Sequence, residues 1–327
     1  MSVIVSGGAG FVGINFIKEI YKYEKEIYLL DNFSNGSKEW IRKFNIESKI
    51  KTFNIDLSNY EITKQTLKKI IDEIKTKPKI WHFAANSDIP SGIANPRIDL
   101  KDTFMTTFNL LEGCKEFNIK SFYFASSSAI YGDHKEKALE ESSGPLMPIS
   151  NYGAMKLASE AQCFSYFESF LDELRIFRFP NVVGVPATHG ILIDLIKKLA
   201  KDPKKLNVLG NGSQQKSYLH ISDLIEGMIH ISSIIINKNE NPIFNLGPKN
   251  DFVKVKWIAE EVVRKVSPSA QIIYGHEDRG WVGDIPKFLY NTSKANRLGW
   301  TPKLNSKQSI LKAITEITSL LEIQIYD

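Results

Sequence analysis

The first stretch of the chain constrains its fold most, because a short apolar run leads directly into closely spaced glycines. The run Ser2–Ser6 is followed by Gly7, Gly10 and Gly13, and isoleucines then recur at helical spacing. This order predicts a strand, a glycine turn and a helix. Glycines so spaced permit a tight turn, close approach of the backbone to a pyrophosphate, and close packing of the helix on a sheet. The N–H groups that begin the helix would face the phosphates.

An acidic residue closes the next predicted strand. Asp31 follows the apolar run 26–30, where a carboxylate can accept both hydroxyls of an adenosine ribose and would repel a 2′-phosphate. Arg42, the nearest arginine after it, lies far along a polar loop. A plain turn residue is the alternative interpretation of Asp31. The glycine context favours a dinucleotide site, with NAD rather than NADP as the cofactor.

Strands and helices continue to alternate through the first half of the chain. Predicted strands cover 51–55, 79–85 and 121–125, and predicted helices cover 62–74 and 98–117. Such alternation predicts an α/β fold of the Rossmann type, a doubly wound parallel sheet covered on both faces. Ligands of these sheets bind at the carboxyl ends of the strands. His82, inside one strand, is expected to be a core histidine rather than a catalyst.

A second cluster of polar side chains follows the strand 121–125. Three serines begin at Ser126, and Tyr152 and Lys156 stand four apart at the start of a predicted helix. Residues at that spacing leave the same face of a helix. A hydroxyl, a phenol and an ammonium could therefore converge on a sugar or alcohol oxygen and take its proton. An ammonium near the phenol, together with the positive nicotinamide of NAD, should also lower the phenol's pKa from its ordinary value of about 10.

Composition and charge argue against other classes of protein. Hydrophobic residues make up 43% of the 327-residue chain, and the net charge of +5 comes from lysines spread along predicted helices. Solvated helix faces explain these lysines better than a nucleic-acid surface does. The six histidines show no ligand spacing, so we expect no metal. We expect no membrane segment, and the two cysteines, Cys114 and Cys163, suit a reducing cytoplasm.

Together these motifs resemble the extended short-chain dehydrogenase/reductases, and among them the nucleotide-sugar epimerases of the UDP-glucose 4-epimerase type. The resemblance runs nearly from end to end. Its motifs here are Gly7-Gly8-Ala9-Gly10-Phe11-Val12-Gly13, Asp31-Asn32, Asp56-Leu57, His82-Phe83-Ala84-Ala85, Ser126–Gly132, Tyr152-x-x-x-Lys156, Arg178–Gly184, Lys216–Asp223 and Leu298-Gly299-Trp300.

The resemblance implies a role for each matching residue. Ser127, Tyr152 and Lys156 would be catalytic, with Tyr152 as the acid/base and Ser127 bonding the reacting oxygen. Asn181, Lys216 and Arg279 would bind the substrate together with Ser127. The implied cofactor contacts are Gly7, Gly10, Phe11, Val12, Asp31, Asn32, Asp56, Leu57, Phe83, Ala84, Ala85, Tyr152, Lys156 and Pro180.

The chain departs from the family pattern at several positions. Lys216 replaces an arginine, which keeps the charge but loses the bidentate fork. Thr103 stands where asparagine is frequent, and Arg279 is offset from the family's C-terminal arginine. Dehydratases of the superfamily carry two acids where this chain has Ser128 and Ala129. That difference favours epimerisation at C4 of a nucleotide-diphosphate sugar through a transient 4-keto sugar.

Two functional alternatives stay open on the sequence. One is a nucleotide-sugar dehydratase or reductase of the same superfamily, and the other is a catalytically idle dinucleotide-binding protein. We expect an NAD-binding domain over 1–180, to which 218–247 returns, and a nucleotide-sugar lobe over 181–217 and 248–327. The resemblance also implies a homodimer through the apolar helices 98–117 and 152–170, and packing into the core is the rival explanation of their apolar surface.

Overall fold

The computed structural model describes residues 2–134, 138–248, 250–278, 280, 285, 287 and 289–325. These residues form two compact units. The first comprises 1–130, 150–178 and 234–244, and the second comprises 131–149, 179–233 and 245–327.

Strands and helices alternate most regularly in the first part of the described chain. The strands are β1 (Ser2–Ser6), β2 (Glu26–Asp31), β3 (Ile50–Asn54), β4 (Lys79–His82), β5 (Ser121–Ala125), β6 (Ala138–Leu139), β7 (Glu173–Arg178), β8 (Asn181–Val183), β9 (Lys205–Val208), β10 (Gln215–Lys216), β11 (Tyr218–His220), β12 (Ile243–Asn245), β13 (Val253–Lys254), β14 (Gln271–Tyr274) and β15 (Leu289–Tyr290). The α-helices are α1 (Phe11–Ile20), α2 (Glu39–Lys43), α3 (Tyr60–Glu73), α4 (Ile89–Ala94), α5 (Pro96–Asp99), α6 (Thr106–Glu116), α7 (Asn151–Ser169), α8 (Ile191–Lys201), α9 (Ile221–Ser233), α10 (Val255–Val266), α11 (Ser293–Arg297) and α12 (Ser306–Leu320).

The first unit is built on a seven-stranded sheet in the order β12-β7-β5-β4-β1-β2-β3. The pairs from β7 to β3 are parallel, as expected for strands joined by crossover helices. The strand order reverses at β1, which pairs with β2 on one side and β4 on the other. The predicted Rossmann fold is therefore confirmed, and a ligand crevice is expected where the order reverses.

Near-complete burial explains why the central strands read as continuous apolar runs. All five residues of β1 are buried, and so are the last five of β2. One face is filled by aromatic rings, since the Trp81 ring centroid lies 4.2 Å from that of Phe16 and 4.4 Å from that of Tyr123. The sheet is thus a rigid platform from which the loops after its strands project.

One predicted helix differs from the structure. The segment 98–117 is not a continuous α-helix, because a π-helix spans Leu100–Met105 between α5 and α6. The hydroxyls of Thr106 and Thr107 both donate to the carbonyl of Thr103 within this wide turn, at 3.1 and 3.0 Å. The spacing of apolar residues does not reveal such a turn, because the helical pattern of the sequence continues through it.

The second unit holds a separate core. Helices α8, α10 and α12 pack their apolar faces with the parallel pair β9–β14. Strand β11 pairs in parallel with β8 in a two-stranded sheet, so 218–220 do not join the main sheet as their sequence suggested. The second unit consequently includes 131–149 and 218–233, which differs from the predicted lobe bounds.

Within the described ranges no helix is long and apolar enough to cross a membrane. The same residues contain no group of three or more His, Cys, Asp or Glu side chains placed to hold a metal ion.

Candidate active site

The glycine turn after β1 is held against the loop that follows β4. Gly7 has a φ of 65°, and a Cβ there would lie only 2.5 Å from the amide nitrogen of Ala84. A Cβ at Gly13 would collide with the carbonyl of Gly7, so the third glycine lets α1 pack on the turn. Both positions therefore require glycine, one for its conformation and one for its size.

The start of α1 is open to an anion. Phe11 and Val12 form its first turn, and Gly10 precedes them with no side-chain capping bond from any described residue. The first N–H groups of a helix lack partners inside the helix and attract negative charge. This end of α1 can accept a diphosphate, as the glycine spacing predicts.

Asp31 ends β2 with its carboxylate turned to the glycine turn. Oδ2 accepts a hydrogen bond from the Ala9 amide at 2.9 Å, and Oδ1 accepts one from the Phe33 amide at 2.8 Å. Burial raises the pKa of Asp31, while these backbone bonds act to lower it. Each oxygen keeps a further lone pair for a ribose hydroxyl. The neighbouring Asn32 is exposed, and its side chain accepts from the Ser34 amide at 3.0 Å.

The loops after β3 and β4 complete the predicted cofactor set. Asp56 accepts from the Ser58 amide and hydroxyl at 3.0 and 2.7 Å and pairs with Lys101 at 2.9 Å. Burial acts to raise the pKa of Asp56, but these partners hold it below its ordinary value. Leu57 is buried, with its carbonyl bonded to Asn109 at 2.9 Å. Half-buried Phe83, Ala84 and Ala85 follow β4.

The residues of the first unit fit NAD. Two glycines lack the Cβ that would fill the turn, the start of α1 has no side-chain cap among the described residues, and Asp31 offers carboxylate oxygens. The glycine turn and the start of α1 would hold the pyrophosphate, and Asp31 would hold the adenosine ribose.

Helix α7 presents the predicted catalytic pair. The Ser150 side chain caps the helix by accepting from the Gly153 amide at 3.1 Å, which places Tyr152 in the first turn and Lys156 one turn later. The Ser127 hydroxyl acts to lower the pKa of the Tyr152 phenol, against the larger effect of burial. It also accepts from the Ala129 amide at 3.1 Å. The structure thus brings Ser127, Tyr152 and Lys156 together in the first unit.

Lys156 is fixed beneath the phenol ring. Its side chain is buried, and Nζ donates to the carbonyl of Ala125 at 2.6 Å. Nζ lies 4.7 Å from the centre of the Phe124 ring and 5.8 Å from that of Tyr152. Burial lowers the pKa of Lys156 to about 7, so the side chain exchanges its proton near neutral pH.

The protein's own groups shift the pKa of Tyr152 upward, and the lowering predicted for Lys156 together with NAD stays a prediction. Burial raises the pKa of Tyr152 to about 12, and the charge of Asp99 acts in the same direction. Burial is the main cause, and Lys156, which lies over the ring and donates to the Ala125 carbonyl, is not among the groups that shift this pKa. The chain's own groups therefore hold the phenol in its protonated form.

An ion pair that the sequence did not reveal supports this set. Arg178 donates to Glu160 through Nε at 2.9 Å and through Nη2 at 2.6 Å, and both side chains are buried. The Ser126 hydroxyl also donates to Glu160. The Glu160 carboxylate, one helical turn after Lys156, thus links Arg178 to Ser126, the residue before Ser127. The available signal was that Glu160 follows Lys156 by four, on the same helix face.

His82 lies in the core, as predicted. Its Nδ1 is 2.6 Å from the Ser6 hydroxyl and its Nε2 is 2.8 Å from the Thr107 hydroxyl. Burial lowers its pKa well below the ordinary value. It is a neutral structural histidine.

The remaining predicted residues lie in the second unit or outside the description. Pro180 is buried and would be 3.3 Å from a Cβ at Gly247. Asn181 is exposed at the start of β8, and half-buried Lys216 pairs with Val253 in the two-stranded sheet of β10 and β13. Arg279 lies outside the described residues. The substrate roles of Asn181, Lys216 and Arg279 stay predictions.

Relatives and solved structures resemble the chain along nearly its whole length. A putative UDP-glucose 4-epimerase of Methanocaldococcus jannaschii is 24% identical over 317 residues, 95% of this chain and 97% of the relative. UDP-glucuronic acid decarboxylase 1 of Xenopus tropicalis is 26% identical over 330 residues, 98% of this chain and 73% of the relative. A crystal structure of a UDP-galactose 4-epimerase superposes with a TM-score of 0.83 at 28% identity, covering 98% of this chain and 100% of that one.

The family assignment comes from the matched pattern itself. Residues 3–247, which include the glycine turn, Ser127 and the Tyr152–Lys156 pair, match the pattern of the NAD dependent epimerase/dehydratase family. The resemblance inferred from the motifs and the prediction of NAD as cofactor are both confirmed by this match. The chain is an enzyme of the NAD dependent epimerase/dehydratase family.

Proposed function

We propose that the protein inverts C4 of a nucleotide-diphosphate sugar of the UDP-glucose/galactose type. The observation that carries the proposal is the joining of Ser127, Tyr152 and Lys156 at the carboxyl end of β5. Ser128 and Ala129 follow without the two acids that elimination of water would use. The epimerases among the similar proteins support the same reaction.

The catalytic residues have separate tasks in this reaction. Ser127 holds the 4-oxygen of the sugar by a hydrogen bond, and Tyr152 takes the proton of that oxygen and later returns it. NAD, when bound, supplies the hydride acceptor and a positive charge. Burial raises the pKa of the phenol, which favours the return of the proton to a 4-keto sugar. A charged Lys156 and the positive charge of bound NAD would favour the deprotonated phenol that takes the proton.

Several partner assignments belong to the same proposal. Gly7, Gly10 and Asp31 would hold NAD, Pro180 would contact it, and Asn181 and Lys216 would bind the substrate's sugar and diphosphate. A reducing compartment such as the cytoplasm suits the buried free thiols of the chain.

We also propose a homodimer formed through α6, α7 and the π-helix. Both explanations of their apolar surface have support, because some of these side chains lie in the core and others are half-buried. The core ones are Leu110, Leu111, Tyr166 and Phe167, and the half-buried ones are Phe104, Met105, Phe108, Leu157, Phe164 and Phe170. Light scattering after gel filtration tests the dimer, and a monomer at micromolar concentration would contradict it.

A second candidate reaction is decarboxylation of a UDP-uronic acid. It is favoured by the similarity to UDP-glucuronic acid decarboxylase 1. Oxidation at C4 would be shared, since a 4-keto uronate is a β-keto acid and loses carbon dioxide readily. The two reactions differ only in the fate of the ketone.

The test is to incubate the purified protein with UDP-glucose, UDP-N-acetylglucosamine and UDP-glucuronate, with and without added NAD, and to follow the sugar carbons by NMR. Inversion at C4 of any sugar supports the proposal. Loss of C6 from UDP-glucuronate identifies the decarboxylase instead. A further incubation supplies NADH and a keto sugar. The epimerase assignment is wrong if every nucleotide sugar stays unchanged and this incubation consumes the NADH.

The assigned acid/base is tested by Tyr152→Phe. Turnover should fall by about 10² to 10⁴, because proton transfer in the transition state contributes that much, while NAD remains bound. Tyr23→Phe is the matched control, since Tyr23 is exposed on the surface. A Tyr152→Phe enzyme with near-normal turnover would refute the assignment.

A further inference from the structure

Ser126 stands directly before Ser127, and its side chain has no task in the reaction proposed above. It lies in the loop after β5 and is buried. Its hydroxyl donates a hydrogen bond to Oε1 of Glu160 on α7, and its amide N–H donates to the carbonyl of Phe177 at 2.8 Å. The hydroxyl thus bonds a helix and the amide bonds the end of β7, so the residue is fixed from two sides.

Helix α7 binds two consecutive residues of this loop through one face. Nζ of Lys156 donates to the carbonyl of Ala125 at 2.6 Å. The carboxylate of Glu160, four residues along the helix, accepts from Ser126. Side chains four residues apart leave the same face of a helix, and Tyr152 precedes Lys156 by that spacing. The helix that carries the acid/base therefore also holds the backbone that leads into the catalytic serine.

The carboxylate of Glu160 is itself held in one orientation. Arg178 donates to Oε1 through Nε at 2.9 Å and to Oε2 through Nη2 at 2.6 Å. A guanidinium that bonds both oxygens of a carboxylate constrains the plane of the carboxylate as well as its position. Oε1, which also accepts from Ser126, consequently points in a fixed direction.

This network of three side chains is closed to water. Ser126, Glu160 and Arg178 are each at most 2% exposed. Hydrogen bonds to charged groups are stronger than those between neutral groups, and a buried group that loses one receives no compensation from solvent. The bond between Ser126 and Glu160 therefore holds the loop to α7 more firmly than a surface contact would.

Ser127 is held by a different and local bond. Its hydroxyl accepts from the Ala129 amide at 3.1 Å, which shapes the turn that begins at Ser127. A bond between residues two apart cannot set the distance of that turn from a helix. The bonds at Ala125 and Ser126 can, because they join the loop to α7 directly before the catalytic hydroxyl.

We propose that Ser126 is a positioning residue: its hydrogen bond to Glu160 fixes Ser127 relative to the acid/base for proton transfer at the sugar oxygen. Ser126 acts through Ser127 and takes no proton itself. A displacement of about 1 Å in such a set of groups can reduce the rate by about 10². The inference rests on the proposed function only in taking Ser127 and Tyr152 as the groups that handle that oxygen.

Ser126→Ala tests the proposal, because it removes the hydroxyl and leaves the ion pair of Glu160 and Arg178 in place. The kcat, expressed per NAD-binding site, should fall about tenfold or more, since the serine and the phenol are no longer aligned. The KM for the nucleotide sugar and the Kd for NAD should stay within about twofold of the wild type. Counting NAD-binding sites removes the effect of any unfolded protein. A kcat per site equal to that of the wild type overturns the proposal.

Ser159→Ala is the matched control. Ser159 is a buried serine of α7 next to Glu160, and its hydroxyl has no hydrogen-bond partner among the described residues. The substitution removes the same atom from the same part of the protein without breaking a bond to the loop. The kcat of this variant should therefore stay close to that of the wild type. An equal fall of kcat in Ser159→Ala and Ser126→Ala would overturn the proposal.

Amide hydrogen exchange, measured by mass spectrometry with NAD present and no nucleotide sugar, provides an arm that needs no reaction. Peptides that cover 125–130 should exchange about tenfold or more faster in Ser126→Ala than in the wild type, because the loop loses a bond that opposes its opening. The Ser159→Ala protein should exchange at the wild-type rate.

Unchanged exchange in Ser126→Ala overturns the proposal. A wild-type protein that inverts no sugar contradicts the proposed function instead, and the exchange experiment then decides whether Ser126 fixes the loop.

Discussion

Glu160 and Asp99 are buried carboxylates of the first unit, and the protein holds them in opposite ways. Glu160 receives two hydrogen bonds from the Arg178 guanidinium and one from the Ser126 hydroxyl. Asp99 receives one from the Asn86 amide and none on Oδ2 from the described residues. The first carboxylate is neutralised where it lies and serves the architecture. The second keeps one oxygen without a hydrogen-bond partner among the described residues, and burial raises its pKa.

Truncation of the paired carboxylate, Glu160, should have the largest effect on stability. Glu160→Ala leaves the Arg178 guanidinium buried without its carboxylate, and removal of one partner from a buried pair costs about 3–5 kcal/mol. We expect a loss of that size in the free energy of unfolding, measured by urea denaturation. Glu168→Ala is the control, because Glu168 is exposed on the same helix. A loss below about 1 kcal/mol for Glu160→Ala would mean that the pair is not stabilising in this way.

At Asp99, stability should depend on the tight contact between its Oδ2 and Gly92. Gly92→Ala places a Cβ against Oδ2 of Asp99, and overpacking of this kind costs about 1–3 kcal/mol. The same substitution in an Asp99→Ala background should cost much less, since the oxygen is absent. Urea denaturation of the two single variants and the double variant measures this coupling. Equal costs in both backgrounds would show that Asp99 is not what Gly92 accommodates.

The sequence predicted the part of the site that depends on local pattern. The glycine turn, Asp31 and the Tyr152–Lys156 spacing are each set by neighbouring residues in one strand or helix. Because parallel strands end at one edge of a sheet, their loops could be expected to meet. The Rossmann fold is indicated by the same alternation, and it was confirmed.

The rest of the site depends on contacts between segments distant along the chain. Asp99 and Asn86 are joined through a loop and a π-helix, and nothing in their spacing indicates that bond. The raised pKa of Tyr152 depends on its burial in the folded protein. The sequence spacing predicted that Tyr152 and Lys156 lie close together, but it did not predict the direction in which burial shifts the Tyr152 pKa.

Stability against pH separates the two carboxylates further. Burial raises the pKa of Asp99 in the folded protein, so its contribution to stability is complete below the unfolded pKa of about 3.9 and is lost as the pH rises through the folded pKa. Asp99→Asn removes this dependence. The variant should gain stability over the wild type as the pH rises from about 4 to 8, by about 1 kcal/mol or less.

Urea midpoints at several pH values measure that gain, with Asp172→Asn as a control at an exposed position of the first unit. The control should show no such trend. A constant difference between Asp99→Asn and the wild type at every pH would mean that Asp99 does not ionise differently in the folded protein.

The smallest effect is expected at Asp56, a carboxylate that is paired but open to water. Its partner Lys101 lies at 2.9 Å, with 57% of the lysine side chain exposed. Exposed pairs contribute about 0.2–1 kcal/mol, so Lys101→Gln should reduce the unfolding free energy by a few tenths of a kcal/mol at neutral pH. Its partners hold the pKa of Asp56 below the ordinary value, so the loss should vanish as the pH falls through the folded pKa, and it should also shrink in high salt. If the loss of unfolding free energy were as large as for Glu160→Ala and did not change with salt, the ion pair of Asp56 would be as shielded from water as that of Glu160. Burial would then not determine how much a carboxylate of this protein contributes to stability.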